Sequence, residues 1–402
     1  MRLKEICDYI SRGTTPDYVD ESPYKVMNQA TFSKGWLDES NLRYTSKNVR
    51  EAQIKKGDLL MASTGGGVLG KVFFFDSDDT SFYADSHVSI LRNSKGKSLM
   101  KYLYYVFSIK YDEINATMVK GSTNQTELQR NYLLAYELDM PPLSKQQRIV
   151  DYLDEKLGNI DARIAVLEKQ QDAYARLKKS VIYHTVTRGL NSNVSLKDSG
   201  VDWIGMIPEH WELRRFKSIF TECKSITQTG EENLLSVSEY YGVARRIDKM
   251  EDGEYESRAN SLIGYKVCKK NDLVINIMLA WKRGLGFSNF DGIVSPAYAV
   301  YRGKNIVPHY FHYLMRTDMY VTEYKRNSKG IIDSRLRMYT DRFNNIMSIF
   351  PPIPEQQTIA DYLDEKCSKI DAAIENIGKQ INALKRLKRA LINEVVIGQR
   401  AV

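Results

Sequence analysis

Four cysteines in 402 residues (Cys7, Cys223, Cys268, Cys367), none in a CxxC spacing, provide neither a disulfide framework nor a structural zinc site. That usage fits a reducing cytoplasm, where the chain is expected to reside. No apolar run approaches the roughly 20 residues that span a bilayer, and no basic-plus-apolar leader opens the chain, so neither a membrane partner nor secretion is expected. Catalytic signatures are scarce as well. There is no GxSxG motif and no Cys/His constellation. Gly65-Gly66-Gly67-Val68-Leu69-Gly70-Lys71 has the spacing of a phosphate-binding loop, but Val72 stands where Ser or Thr would hold magnesium. The following run, Lys71 to Phe75, reads as a strand rather than a helix, which makes the stretch a hairpin loop. Asp154-Glu155-Lys156 and Asp364-Glu365-Lys366 are D-x-K tripeptides on the polar face of a helix, where solvated charges are the default. His309 and His312 lack further histidine or cysteine partners and are read as packing or surface residues. Asp139-Met140-Pro141-Pro142-Leu143 fails at Met140 and Leu143 to give the Asn-Pro-Pro-aromatic tetrapeptide that grips an amine for methylation. No catalytic or metal-ligating residue is assigned, and no cofactor is expected in the chain itself.

What is present is one stretch, written twice. PPLSKQQRIVDYLDEKLGNIDARI (141–164) returns as PPIPEQQTIADYLDEKCSKIDAAI (351–374) after about 210 residues, the offset of a duplicated domain. Each copy opens on Pro-Pro, a boundary signal. Each then alternates apolar steps of three and four. Ile149, Leu153, Ile160, Ile164 and Leu167 form this seam in the first copy, and Ile359, Leu363, Ile370, Ile374 and Ile377 form it in the second. Leu177 and Leu387 continue the same count. Neither run contains proline after its opening, and each predicts a helix of roughly 40 residues, about 60 Å long. A rod with one narrow apolar stripe needs a partner. The simplest partner is the other copy, antiparallel and related by a pseudo-two-fold axis. Two unrelated arms recruiting separate partners are the alternative.

The segments before each helix share anchors but not loops. Arg2-Leu3-Lys4-Glu5-Ile6 is mirrored by Arg215-Phe216-Lys217-Ser218-Ile219, and Lys55-Lys56-Gly57-Asp58 by Lys269-Lys270-Asn271-Asp272. Lys120-Gly121 precedes the first diproline as Lys329-Gly330 precedes the second. Mixed short strands and helices place each head in the α+β class. The fold expected is two globular mixed α/β domains separated by two long antiparallel coiled-coil helices in an internal repeat. A formal net charge of +8 favours a polyanionic partner such as nucleic acid, and 26 tyrosines suit half-wet interfaces.

With these residues in view, the chain resembles the specificity subunit of type I restriction–modification enzymes. The diproline, the following Gln-Gln and the Tyr-Leu-Asp-Glu-Lys helix carry the likeness. So does the string Thr187-Arg188-Gly189-Leu190-Asn191, Trp203-Ile204-Gly205 and Ile207-Pro208-Glu209-His210-Trp211, and so does Ala280-Trp281-Lys282 with Ser295-Pro296-Ala297-Tyr298. The resemblance implies target-recognition domains at 1–140 and 211–350, long helices at 141–186 and 351–402, and a linker at 187–210. It implies that each head reads one half of a split double-stranded DNA target. The helices would set the gap and dock two methyltransferase subunits, and restriction subunits would join through that core. S-adenosylmethionine, ATP and magnesium are then expected on the partner subunits.

Loop residues able to reach phosphates or base edges are the expected contacts. In the first head they are Arg12, Thr14, Thr15, Ser63, Thr64, Lys71, Asn124 and Gln125. In the second they are Lys224, Arg258, Trp281, Lys282, Arg283, Lys329 and Arg335. Two rival readings are a recognition partner for another methyltransferase-based defence system and a coiled-coil adaptor that binds protein only.

Overall fold

Lys-Lys-Gly-Asp and Lys-Lys-Asn-Asp build the same turn in both halves of the chain. The third residue of each must enter the left-handed region, and Gly57 (φ 88°) and Asn271 (φ 71°) are residue types that tolerate it. The fourth caps the turn: Asp58 accepts the Lys55 N–H at 2.7 Å, and Asp272 accepts the Lys269 N–H at 2.9 Å. Each buried carboxylate is then held by a two-pronged arginine from a neighbouring strand, Arg92 for Asp58 and Arg302 for Asp272. From these turns run strands buried at every position, Leu59–Ala62 and Asp272–Asn276.

The computed structural model describes residues 1–47, 49–120, 126–249 and 261–402. The chain forms two compact units, Met1–Glu168 with Lys379–Val402, and Lys169–Gly378. In the first unit a four-stranded antiparallel sheet orders Tyr9–Arg12, Val88–Arg92, Leu59–Ala62 and Val72–Phe74. In the second unit Phe220–Glu222, Tyr298–Gly303, Asp272–Asn276 and Leu285–Phe287 take the same order and sense. The first head adds a second four-stranded sheet, whereas the second adds separate two-stranded ribbons. The repeated sheet is therefore shared, and its additions differ. The glycine-rich stretch 65–70 connects the paired strands Leu59–Ala62 and Val72–Phe74, so it is a hairpin connection as expected.

The long helices run Leu143–Arg188 and Ile353–Val396, 46 and 44 residues. Within each unit, a part of one lies antiparallel to a part of the other. In the first unit Lys388 pairs with Asp161 (2.6 Å) and Lys385 with Glu168 (3.9 Å). In the second, Lys178 pairs with Asp371 (2.6 Å) and the Gln171 side chain donates to the Ile374 carbonyl at 3.4 Å. Such exposed pairs add at most about 1 kcal/mol each; the buried stripe does most of the holding. Leu153 and Leu157 share a core with Leu391, Ile392, Val395 and the head residues Leu103, Val106 and Phe107. Ile359 and Leu363 share another with Val186, Tyr310 and Phe311. Ile149, Ile164, Leu167, Ile370 and Ile377 are buried, and Ile160 and Ile374 partly so. Leu177 and Leu387, counted into the stripe, face solvent instead, because a straight helix drifts off a strict 3.5-residue repeat.

Two expectations are corrected. The stretch 187–210 is folded rather than a plain connector: Leu196–Asp198 pairs with Met206–Pro208, and Ile204 and Ile207, like Trp211 just after it, are buried in the core of the second unit. Asp154 and Asp364 are not simply solvated. Asp154 receives the Tyr105 hydroxyl and Lys101, and Asp364 receives the Tyr313 hydroxyl (2.7 Å) and His309 (3.0 Å), so each ties its helix to the adjoining head.

The first glutamine of each Gln-Gln pair makes the tightest such tie. Gln356, fully buried, accepts the Val307 N–H at the start of helix Pro308–Met315 (2.9 Å) and donates to the Pro351 carbonyl (2.8 Å). Gln146 does the same with Leu99 N–H and Pro141. Gln356→Ala leaves a buried donor and a buried acceptor unmet, and is expected to cost about 2–4 kcal/mol by thermal unfolding. Unchanged stability would show that water replaces the amide.

Candidate nucleic-acid interface

In the first head, four loops meet at one rim. Thr14 bridges to Asp85, Thr64 bridges to Glu127, and the Gly65 N–H donates to the Thr126 carbonyl at 3.2 Å. The Thr64 hydroxyl bonds His87 Nδ1 at 2.8 Å. Arg12 reaches across the rim, pairing with Glu127 and donating to the Leu128 (3.2 Å) and Ser63 (3.4 Å) carbonyls. Arg12, Thr14 and Thr64 are thus brought together, with Thr15 exposed beside them. Arg12 spends its donors on its own backbone, which makes it a brace of the rim.

Ser63 is a correction. It is fully buried and shares its hydroxyl with Ser89 at 2.6 Å, which leaves no face for a nucleic acid. Lys71 lines a groove of about 1030 Å³ with Trp36, Tyr104 and Arg389. Asn124 and Gln125, like Arg258 of the second head, lie outside the described residues.

In the second head the pattern is aromatic and cationic. Ala280–Lys282 forms a 3-10 turn closed by Arg283 in the left-handed region (φ 62°). The Trp281 indole donates to the Met278 carbonyl at 3.0 Å, and Lys282 and Lys325 lie 5.0 and 5.1 Å from its ring centre. Residues 329–337 fold back on themselves next to this turn. Lys329 and Arg337 exchange backbone bonds at 2.9 Å, and the Met338 N–H reaches the Ile277 carbonyl at 2.8 Å. Trp281, Lys282, Lys329 and Arg335 therefore share one surface, joined by Lys325 and Arg337, which sequence spacing does not connect to them.

Arg283 is placed differently. Its guanidinium pairs with Asp318 and donates to the Arg316 carbonyl at 3.0 Å, holding the start of helix Asp318–Asn327. Arg316 in turn is enclosed, and burial beside Arg283 lowers its pKa to about 10. Lys224 is exposed on a separate loop next to the ribbon strand Lys266–Cys268.

Among the described residues no group of three or more His, Cys, Asp or Glu side chains could hold a metal ion. No described helix is long and apolar enough to cross a membrane.

Residues 1–171 match the family described as type I restriction modification DNA specificity domain. A putative type I restriction enzyme MjaX specificity subunit of Methanocaldococcus jannaschii is 26% identical over 52% of this chain, a match covering half of that protein's length. The MjaVIII specificity subunit of the same organism is 22% identical over 99% of this chain and 92% of its own. The EcoBI specificity subunit of Escherichia coli is 22% identical over 74% of this chain and 65% of its own. Among solved structures, a chain from a study of assembly and conformational transition of the type I R-M system superposes with a TM-score of 0.69 at 14% identity, covering 98% of this chain and 96% of that one. The HsdS subunit from Thermoanaerobacter tengcongensis gives 0.50 at 16% identity, covering 100% and 96%. At these identities the structural likeness is one of fold.

Proposed function

We propose that the chain belongs to the family of type I restriction–modification specificity subunits, which its similarity to that family's DNA specificity domain and to its named relatives supports, and that it is the DNA-reading component of such a complex. It is a specificity subunit and not a catalytic one. Each head, 1–140 and 211–350, reads one half of a bipartite duplex target, and the long helices set the unspecified gap. The same helices dock two methyltransferase subunits, through which restriction subunits join. The adenine-methylating and ATP-driven chemistry, with its S-adenosylmethionine, ATP and magnesium, resides on those partners, in the cytoplasm.

The observation that carries this reading is a repeated sheet dressed with two different rims: hydroxyl- and imidazole-bearing in one head, indole- and cation-bearing in the other. Two unlike readers on one scaffold suit two unlike half-sites. Lysines and arginines would fix register on phosphates, while Thr14, Thr15, Thr64, Trp281 and Arg335 supply groove contacts.

The test is methylation sequencing of the source cell with and without this gene. A split adenine motif that disappears on deletion is the expected result. Purified complex should bind the corresponding duplex with a log–log salt slope of roughly −5 or steeper, the signature of six or more neutralised phosphates. Loss of no motif, together with no duplex binding, would favour the protein-only adaptor. Trp281→Ala with Lys282→Ala should weaken the second half-site roughly tenfold, since a stacked or bidentate contact contributes about 1–3 kcal/mol. Full occupancy of both halves by that variant would remove the pair from the interface.

A further inference from the structure

The loop 329–337 presents an unusual tip. Ile331 is 100% exposed and Ile332 53% exposed, although the loop that carries them is held fast. Its base is closed by the paired bonds between Lys329 and Arg337, and Leu336 and Met338 are buried beneath it. The Arg335 N–H returns to the Ile332 carbonyl at 2.8 Å, and Lys325 holds Asp333 at 3.1 Å. Gly330 fits where its φ is +147° and where a Cβ would come within 2.6 Å of the Arg335 carbonyl. A braced loop that keeps a β-branched apolar side chain wholly in water forgoes the gain of burying it, and the gain is recovered only against a partner.

The surroundings identify that partner. The loop that carries the tip also bears Arg335 and Arg337, and Lys282 lies on the adjoining 3-10 turn; none of the three has an ion pair among the described residues, Lys329 has only a loose one with Asp341 (3.9 Å), and the one carboxylate of the loop, Asp333, is held by Lys325. An apolar point within a ring of cations fits a polyanion with an apolar interior, which is the stacked duplex. The matching stretch of sequence in the first half reads Lys120-Gly121-Ser122-Thr123, polar where the second reads Lys329-Gly330-Ile331-Ile332.

We propose that Ile331, backed by Ile332, is a wedge that the second head inserts between adjacent base pairs of its half-site, partly unstacking one step while the cations hold the flanking phosphates. This rests on the DNA-reading role above. The wedge makes distortion of the target one-sided: the half read by the second head is kinked, and the half read by the first is not. It also makes the second head sensitive to how easily a step unstacks, so specificity extends to base pairs that no polar group touches.

The experiment uses the full chain with its co-purifying subunits and duplexes carrying the motif found by methylation sequencing, with 2-aminopurine placed at successive positions. Expected is a rise in fluorescence at one step in the second half-site. That rise should be lost in Ile331→Ser/Ile332→Ser and kept in Ile331→Leu, with duplex affinity falling roughly tenfold or more in the serine variant. Both side chains are exposed, so folding is not at stake. Steep salt-dependent binding with no Ile331-dependent fluorescence change at any position overturns the wedge and leaves the DNA-reading role standing. Loss of co-purifying subunits in the serine variant, with the fluorescence change intact, assigns the tip to a protein contact and also overturns the wedge. Absence of any duplex binding overturns both.

Discussion

A chain lengthened by one helical turn in both long helices, four residues after Glu168 and four after Gly378, is expected to stop marking its own target. It is expected instead to mark one whose unspecified gap is one to two base pairs longer. Four residues add about 6 Å of helix, against about 3.4 Å per base pair. The two insertion points fall between the Lys385–Glu168 pair on one side and the Gln171–Ile374 bond on the other, so the pairs within each unit keep their register. A target with the original gap can then satisfy one half-site at a time. Forfeiting a half-site's contacts should reduce discrimination by about 10³-fold or more, since each mismatched base pair alone costs about 1–3 kcal/mol. Methylation sequencing of cells carrying the lengthened gene reads the outcome directly. A gap that stays the same would mean that the helices do not set it. An insertion in one helix alone should instead depress stability, because it slips one apolar stripe against the other.

The repeat makes much of this architecture legible in the sequence. Ile359 and Leu363 follow from the period of three and four. The buried strands Leu59–Ala62 and Asp272–Asn276 follow from apolar runs behind a Lys-Lys-x-Asp turn. Contacts that depend on distant pairing did not announce themselves. Nothing near Asp154 or Asp364 indicates that a tyrosine about 50 residues earlier will donate to it, so both aspartates read as ordinary surface charge. Ser63 and Arg283 read as loop groups, but neighbouring strands and helices claim them first: Ser89 takes the hydroxyl of one, and Asp318 the guanidinium of the other. The Trp281 rim shows the converse. Lys325 and Arg337 join it only because helix Asp318–Asn327 and the 329–337 loop return to the 277–282 turn, a closure that spacing cannot reveal.

Mild acid should weaken the second head through His312, and should do so before the carboxylates titrate. Its ring lines a cavity of about 600 Å³ with Lys178, Tyr183, Tyr240, Arg316 and Asp318. Burial first, then the Arg316 charge and His309, disfavour the imidazolium, and Asp364 only partly opposes them; the pKa falls from 6.5 to about 3. A histidine with a lowered folded-state pKa stays neutral in the fold while the unfolded chain takes up a proton. Its contribution is therefore complete above pH 6.5 and is lost as pH falls from 6.5 towards 3. By pH 5 the loss is about 2 kcal/mol, with an upper limit of about 4–5 kcal/mol near pH 3, the limit because the side chain keeps some solvent contact. Carboxylates with lowered values, such as Asp38 and Asp79 at about 2, lose their contribution mainly below about pH 4. Buried Asp85 in the first head, its pKa raised by burial, has the opposite sign, gaining stability as pH falls. His312→Gln cannot titrate, so subtracting its profile from that of the wild type cancels the groups that do not interact with His312 and leaves its own titration with that of its neighbours His309 and Asp364. The expected difference is a wild-type melting temperature that drops between pH 6.5 and 5 by about 4–8 °C more than the variant's. Parallel profiles would show that His312 is protonated as readily in the folded chain as in the unfolded one, and that the cavity admits enough water to solvate its charge.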